Sequence, residues 1–474
     1  MCDMVREEAK EERVEIVVGK KIRVADPDLS VREWCRDNLV LPNPEYYKRE
    51  RMGKWTGNTP KEIFLYEIIG GDYYIPFGCL SDLWARYYDS ASFKPIFRAV
   101  GRLNYESNII AYSYQEKAIQ AILKAKNGVV VMPCGAGKTQ VGLEAIARIG
   151  GRTLWLTHTQ DLLNQSKQRA MSVFGVPRET FGTITGGKVN IGKTITFATV
   201  QTMSKLDLRQ YENEFDIVIV DECHHAIGSP TRVMQFYKVL SGLCARYKIG
   251  LTATPKRADG LERSMFALLG NIICEISKEE VADTTCPVEI HGIRTGYTPD
   301  YDAVLAGDGT INYAQLVDDL TKNEDRFEFV NKIIPRNASV LVLANRVEYL
   351  QRLNSVYEGN SICLSTLGAS KRARETRKEA LRKLDAGELD CIFATYQLAK
   401  EGLDCPNLRY LVLATPEKDE TTVTQAVGRV GRKANGKDKG VVIDLLDDFG
   451  MFHGWARKRR NYYKKNGYTY IDMD

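Results

Sequence analysis

Between Gly128 and Ile149 the chain runs through three kinds of sequence. An apolar stretch, Gly128-Val129-Val130-Val131, leads into Met132-Pro133-Cys134-Gly135-Ala136-Gly137-Lys138-Thr139, and a helical pattern follows from Gln140 to Ile149. A strand that passes through a tight Gly-x-Gly-Lys-Thr turn into a helix sets strand and helix side by side, the building unit of α/β folds. The glycines let backbone N–H groups close around an anion, and the helix N-terminus adds partial positive charge. In such a loop Lys138 reaches the β- and γ-phosphates of a nucleotide and Thr139 holds Mg²⁺, with Cys134, Gly135, Ala136 and Gly137 completing the cradle. Met132 stands where the full pattern has glycine. A surface turn can carry the same five residues by chance, so the rest of the chain has to decide.

The chain's 474 residues suggest about three domains. With 44% hydrophobic and 27% charged residues it is ordinary for soluble globular domains. No apolar run approaches the ~18 residues that span a bilayer, and Met1 to Arg13 is charged rather than signal-like. The 11 cysteines are scattered, without a Cys-x-x-Cys pair. They predict a reducing, cytoplasmic setting, and with the five histidines they show no zinc spacing. The net charge of +5 gathers in two clusters, Lys48-Arg49-Glu50-Arg51 with Lys54, and Arg457-Lys458-Arg459-Arg460 before Tyr462-Tyr463-Lys464-Lys465. Such clusters suit a polyanionic partner or, equally, a solvated helix face.

Four segments emerge along the chain. Residues 1–105 are rich in aromatics and turn signals and read as a small α+β accessory domain. From 106 to 275, Val/Ile/Leu runs alternate with helical stretches: Gly128 to Met132, Thr153 to Thr157, Thr194 to Thr199, Asp216 to Val220 and Lys248 to Thr252. This predicts a parallel sheet covered on both faces. Residues 276–325 read as a linker carrying some structure of its own. The alternation resumes over 326–474, at Ser339 to Leu343, Asp390 to Ala394, Tyr410 to Ala414 and Gly440 to Leu445, and ends in a basic tail. The fold class is therefore α/β with two tandem parallel-sheet domains.

A second chemical signal is Phe215-Asp216-Ile217-Val218-Ile219-Val220-Asp221-Glu222-Cys223-His224-His225. An apolar strand here delivers adjacent carboxylates at its C-terminal end, where α/β sheets bind ligands. Asp221 is placed to orient Mg²⁺, partly through water, and Glu222 to polarise a water attacking a γ-phosphate.

Asp221-Glu222-Cys223-His224 resembles the Asp-Glu-x-His box of superfamily 2 helicases and translocases, and the family's other motifs appear in order. Tyr114-Gln115 is similar to the upstream motif that reads adenine. Leu156-Thr157-His158 and Ala198-Thr199-Val200-Gln201-Thr202 stand where the family touches nucleic acid, and Thr252-Ala253-Thr254-Pro255 where it couples hydrolysis to motion. Val340 to Asn345, Ala394 to Asp404 and Gln425-Ala426-Val427-Gly428-Arg429-Val430-Gly431-Arg432 resemble motifs four, five and six. The resemblance implies two RecA-like domains that hydrolyse ATP with Mg²⁺. It gives Lys138, Glu222, Arg429 and Arg432 catalytic roles, and adds Gln115, Gly402, Asp404 and Gln425 to the ATP site. Coupling falls to His224, Thr252 and Thr254, and nucleic-acid contact to Thr157, Thr199, Gln201 and Thr395.

His224, Thr252 and Gln425 depart from the Asp-Glu-Ala-Asp RNA helicases, and the run from Thr254 to Gly260 looks more like XPB-type and phage UvsW-type branch-migration helicases. The implied function is a monomeric, phage-encoded DNA helicase that unwinds or branch-migrates forked or branched DNA, with replication or recombination proteins as partners. A duplex translocase, an RNA helicase and a dead ATPase that only binds nucleic acid are the alternatives.

Overall fold

The computed structural model describes residues 14–133, 135–227, 229–253, 261–300, 304–305, 311–366, 371–400 and 405–473. The chain divides into two compact units, Met1–Met132 with Gly137–Ile276, and Pro133–Ala136 with Ser277–Asp474. Among the described residues no helix is long and apolar enough to cross a membrane.

The first unit holds an eight-stranded sheet. Its order is Lys188–Asn190, Gly182–Thr185, Ile195–Thr199, Thr153–Thr157, Ile217–Asp221, Tyr247–Thr252, Asn127–Val131 and Ile272–Glu275. Every neighbouring pair is parallel except the edge hairpin Gly182–Thr185/Lys188–Asn190. The five strands read from the sequence all form, and Ile217 to Val220 are wholly buried because helices cover both faces.

The N-terminal segment is α+β as expected. Its five-stranded sheet runs Glu67–Ile69, Asp72–Pro76, Lys21–Val24, Val14–Val18, Ala91–Pro95, with the helices Leu29–Leu39, Pro44–Arg51 and Leu80–Tyr87. It does not stand apart as a unit. Its apolar core, with Ile22, Leu39, Ile63 and Phe77, is continuous with that of the large sheet and the helix Glu262–Leu269. Gly78 sits so tightly on that helix that a Cβ would lie 2.5 Å from the carbonyl oxygens of Phe266 and Ala267. Lys248, fully buried, donates to the carbonyls of Leu240 at 2.7 Å and Lys20 at 3.3 Å, tying the two sheets together.

The second unit is built on a seven-stranded, all-parallel sheet ordered Ser361–Cys363, Cys391–Thr395, Val340–Ala344, Tyr410–Leu413, Gly440–Leu446, Val288–Arg294 and Thr469–Met473. Two expectations are corrected here. Residues 276–325 are more than a linker: Val288–Arg294 lies inside the sheet between two other strands, with Val288 and Ile290 buried. Its short apolar alternation, broken by His291 and Gly292, hid it among the turns.

The basic tail is also an integral element. The helix Gly450–Lys465 buries Arg459, Tyr462 and Tyr463, and the chain then returns as the strand Thr469–Met473. Arg459 Nε donates to both carboxylate oxygens of Asp444 at 3.0 Å, and its Nη1 donates to the carbonyl of Glu417 at 3.0 Å. Arg457, Lys458, Lys464 and Lys465 remain exposed. The charge run thus splits by helix face into a core anchor and a solvated side.

Candidate functional site

The glycine loop has the backbone that an anion cradle needs. Gly135 and Gly137 take φ of +85° and +79°, a region other residues rarely adopt. Lys138–Ile149 starts at once as a helix, with Lys138 buried at its N-terminus. A Cβ at 137 would lie 2.4 Å from Gln115 Nε2 and displace that amide. Gln115 caps its own helix, Ser113–Ala125, accepting from Tyr112 N at 3.1 Å, and donates to Gln140 Oε1 at 3.4 Å. It braces the loop from behind. Ala136 is buried and Thr139 half-buried. The expected site residues Cys134, Thr254, Gly402 and Asp404 lie outside the described residues.

Strand order brings the remaining groups to the same edge. Ile217–Asp221, Tyr247–Thr252 and Asn127–Val131 are consecutive and parallel, in a register that pairs Asp221 with Leu251 and Thr252 with Val131. Asp221, Thr252 and the glycine loop therefore all emerge at the C-terminal edge of the sheet. Asp221 accepts from Ser166 Oγ at 3.2 Å and from Glu222 N at 3.1 Å. Glu222 sits at φ +48°, a strained position for a side-chain-bearing residue and of the kind that clusters at active sites. Its Oε1 lies 3.6 Å from Lys138 Nζ. Its Oε2 lies 3.4 Å from His224 Nδ1, which is 2.9 Å from Thr252 Oγ1. Lys138, Glu222, His224 and Thr252 thus form a continuous polar chain across three strand ends.

The electrostatics set the two carboxylates apart. Burial, reinforced by the neighbouring Glu222 charge, pushes Asp221 up to about 6. Burial would raise Glu222 as well, but Lys138 and then His224 and His158 hold it below the usual carboxylate range. A buried carboxylate so poorly compensated fits a cation's oxygen ligand. Magnesium typically takes one or two carboxylates and completes its shell with water and substrate phosphate. Thr139 and Asp221 supply that donor chemistry. Among the described residues no group of three or more His, Cys, Asp or Glu could hold a metal alone.

The expected nucleic-acid contacts fare differently. Thr157 and Thr199 pair in register on adjacent strands, and both are buried. The Thr157 hydroxyl donates to the carbonyl of Thr159 at 2.9 Å, and that of Thr199 to Thr202 Oγ1 at 2.9 Å. Their hydroxyls are engaged with the loops that follow the two strands. Gln201 donates to the carbonyl of His158 at 2.9 Å and so fastens two of the loops together.

Sequence reading missed what His158 does. Its ring stacks on His225 with centroids 3.6 Å apart, and His225 lies 4.1 Å from His224. Burial, with His224 and Arg232 adding to it, pushes His158 down to about 4, so the His158 ring is uncharged at neutral pH. The signal was its placement beside one motif, but nothing local says that it meets the His-His pair.

In the second unit Gln425 and Arg429 project from the helix Glu420–Val430, and Arg432 follows it. Arg429 is buried, Arg432 half-buried, and Gln425 Oε1 is buried without a hydrogen-bond partner. The segment behind is held by Cys286 N donating to the carbonyl of Gly431 at 2.8 Å and by Lys437 Nζ donating to the carbonyl of Arg432 at 2.9 Å. Cys286 and its neighbour Thr285, which bridges to Arg432, come from the stretch read as linker. Thr395 accepts from Leu398 N at 3.3 Å as a local helix cap, and its own N–H donates to Ser365 Oγ at 2.7 Å.

Comparison with known proteins agrees with this layout. Residues 108–257 match the family described as "Type III restriction enzyme, res subunit", and residues 325–434 match the "Helicase conserved C-terminal domain". The chain is 24% identical over 364 residues to "Putative ATP-dependent RNA helicase L396" of Acanthamoeba polyphaga mimivirus, covering 75% of this chain and 67% of that protein. It is 25% identical over 388 residues to "DNA 3'-5' translocase XPB2" of Sulfurisphaera tokodaii, covering 73% and 84%. Among solved structures it shares its fold with the "ATP-dependent Type ISP restriction-modification enzyme LlaBIII bound to DNA". There the TM-score is 0.56 at 16% identity, over 83% of this chain and 34% of that one.

Proposed function

This chain belongs to the superfamily 2 helicases, and from that premise we propose that it is a DNA helicase that uses ATP to translocate along and unwind, or branch-migrate, forked DNA. As a family member it is an ATP-hydrolysing enzyme that binds nucleic acid. The observation that carries the ATP-driven part of this reading is the polar chain from Lys138 through Glu222 and His224 to Thr252.

In the proposed mechanism the glycine loop and the N-terminus of Lys138–Ile149 hold the phosphates of ATP. Lys138 turns from Glu222 to the β- and γ-oxygens, and Glu222, released, orients the attacking water. Thr139 and Asp221 would hold Mg²⁺, which supplies charge neutralisation at the phosphates when bound. Gln425, Arg429 and Arg432 act from the second unit, where an arginine aimed at the transferring phosphoryl group is worth roughly 10³–10⁵ in rate. His224 and Thr252 carry the change at Glu222 into the segment after Thr252, so that phosphate loss alters the grip on the strand. Thr157, Thr199, Gln201 and Thr395 are candidates for strand contact through their loops. DNA as the substrate, with 3'-to-5' movement, follows the printed name of the Sulfurisphaera relative, whereas that of the mimivirus relative supports RNA.

ATPase and unwinding on matched forks, Holliday junctions, RNA duplexes and blunt DNA test the proposal. Stimulation and unwinding by DNA forks or junctions support it. Stimulation by RNA alone overturns the substrate, and triplex displacement without fork unwinding points to a duplex translocase.

A further inference from the structure

The N-terminal portion carries a surface that the ATP chemistry does not use. Between the helix Pro44–Arg51 and the strand Glu62–Phe64 the chain makes a short loop, Met52-Gly53-Lys54-Trp55-Thr56-Gly57-Asn58-Thr59-Pro60. At its tip Trp55 is 86% exposed, an unusual position for the largest apolar side chain. The loop is nevertheless built. Gly53 N and Lys54 N donate to the carbonyls of Glu50 at 3.0 Å and Arg49 at 2.9 Å, and Thr59 N to that of Thr56 at 3.0 Å. Asn43 pins the far end, donating from Nδ2 to the carbonyl of Pro60 at 2.7 Å and from its backbone N to that of Lys61 at 2.9 Å.

One face of the indole is backed by Gly57, at φ +54°, where a Cβ would come within 3.1 Å of the ring. Lys48, Arg51, Lys54 and Lys61 are exposed on the same segment, which from Pro44 to Lys61 carries five basic residues against Glu45 and Glu50, with Glu62 just beyond it. Glu45 is already engaged by Arg49 at 2.7 Å.

We propose that Trp55 is a stacking platform for an unpaired base, with Lys48, Arg51 and Lys54 gripping the flanking phosphates. A flat aromatic face held open in a basic collar is the combination that single-stranded nucleic acid requires. Charge chooses this occupant: an apolar protein surface gains nothing from four exposed cations, whereas a polyphosphate backbone does. The strands that flank the loop bury Leu41 and Ile63 in a core continuous with that of the ATP-binding sheet. The loop therefore belongs to the first unit. This inference deepens the reading of the chain as a nucleic-acid motor and rests on it.

The test uses the full chain and its Trp55→Ala, Trp55→Phe and Lys54→Ala variants. Anisotropy measures binding to labelled single-stranded DNA and RNA oligonucleotides of one sequence across a salt series, and ATPase is measured with and without oligonucleotide. Loss of one stacked base predicts that Trp55→Ala weakens binding about 5- to 150-fold, with Trp55→Phe retaining most of it. Lys54→Ala should reduce the salt slope by about one. ATPase without nucleic acid should be unchanged in all three variants. Trp55→Ala binding both oligonucleotides like the wild type overturns the platform. The motor reading fails separately, if wild-type ATPase responds to no nucleic acid while Trp55→Ala still weakens binding.

Discussion

Arg459 separates a structural cation from a nucleic-acid contact, and the outcome can be worked out in advance. It lies in a run of four basic residues, yet it is 4% exposed, and its guanidinium faces Asp444, itself 1% exposed. Replacing Arg459 with alanine leaves Asp444 buried, with Tyr463 Oη donating to it at 3.0 Å. Removing one member of a buried pair typically costs about 3–5 kcal/mol, most of it the uncompensated charge left behind. The carbonyl of Glu417 loses its donor as well. Hydrogen exchange followed by mass spectrometry reads this locally. Amide protection in Gly440–Leu446 and Gly450–Lys465 should fall by about two to four powers of ten, while that of Asn127–Val131 is untouched. Lys458→Ala, one residue away and exposed, should leave protection unchanged. The reasoning is refuted if Arg459→Ala keeps full protection and instead weakens oligonucleotide binding with a reduced salt slope.

Three further outcomes follow from the site. Glu222→Gln should lower ATPase by about 10²–10⁴ while nucleotide binding, read with a fluorescent ATP analogue, is retained. Thr252→Val removes the hydroxyl 2.9 Å from His224. ATP turnover should change less than about tenfold, and base pairs opened per ATP, from paired phosphate-release and unwinding traces, should fall further. His158 titrates at about 4 in the fold against an ordinary 6.5. The folded state favours its neutral form, so the stability this provides is full above pH 6.5 and is lost as pH falls toward 4, by roughly 3 kcal/mol at most. Urea midpoints at several pH values should show that slope in the wild type and a shallower one in His158→Gln.

The sequence was most legible where a physical requirement is local. Buried parallel strands need unbroken Val/Ile/Leu runs, and all nine that were read form within a residue or two, from Asn127–Val131 to Gly440–Leu446. The glycine loop and the Asp221-Glu222 pair were likewise visible, because the backbone and the chemistry both need those residue types at those places. What stayed hidden depended on partners far along the chain. Val288–Arg294 is a strand because Gly440–Leu446 and Thr469–Met473 flank it. Arg459 is a core residue because Asp444 waits beneath it, and the four-residue basic run carries no mark of that. Thr157 and Thr199 end adjacent strands, and their hydroxyls are taken by Thr159 and Thr202, partners that the motifs do not announce. The stack of His158 on His225 needs two strand ends to be neighbours, which only the sheet order decides.

The central claim is that hydrolysis at Lys138 and Glu222 is coupled to movement on DNA. Stopped-flow phosphate release and fork unwinding, recorded together on one forked DNA for the wild type and Lys138→Ala, test it most directly. The fork should accelerate phosphate release in the wild type, and strands should separate only while ATP is consumed, with both signals lost together in Lys138→Ala. Phosphate release indifferent to DNA, or unwinding that survives in Lys138→Ala, would contradict it.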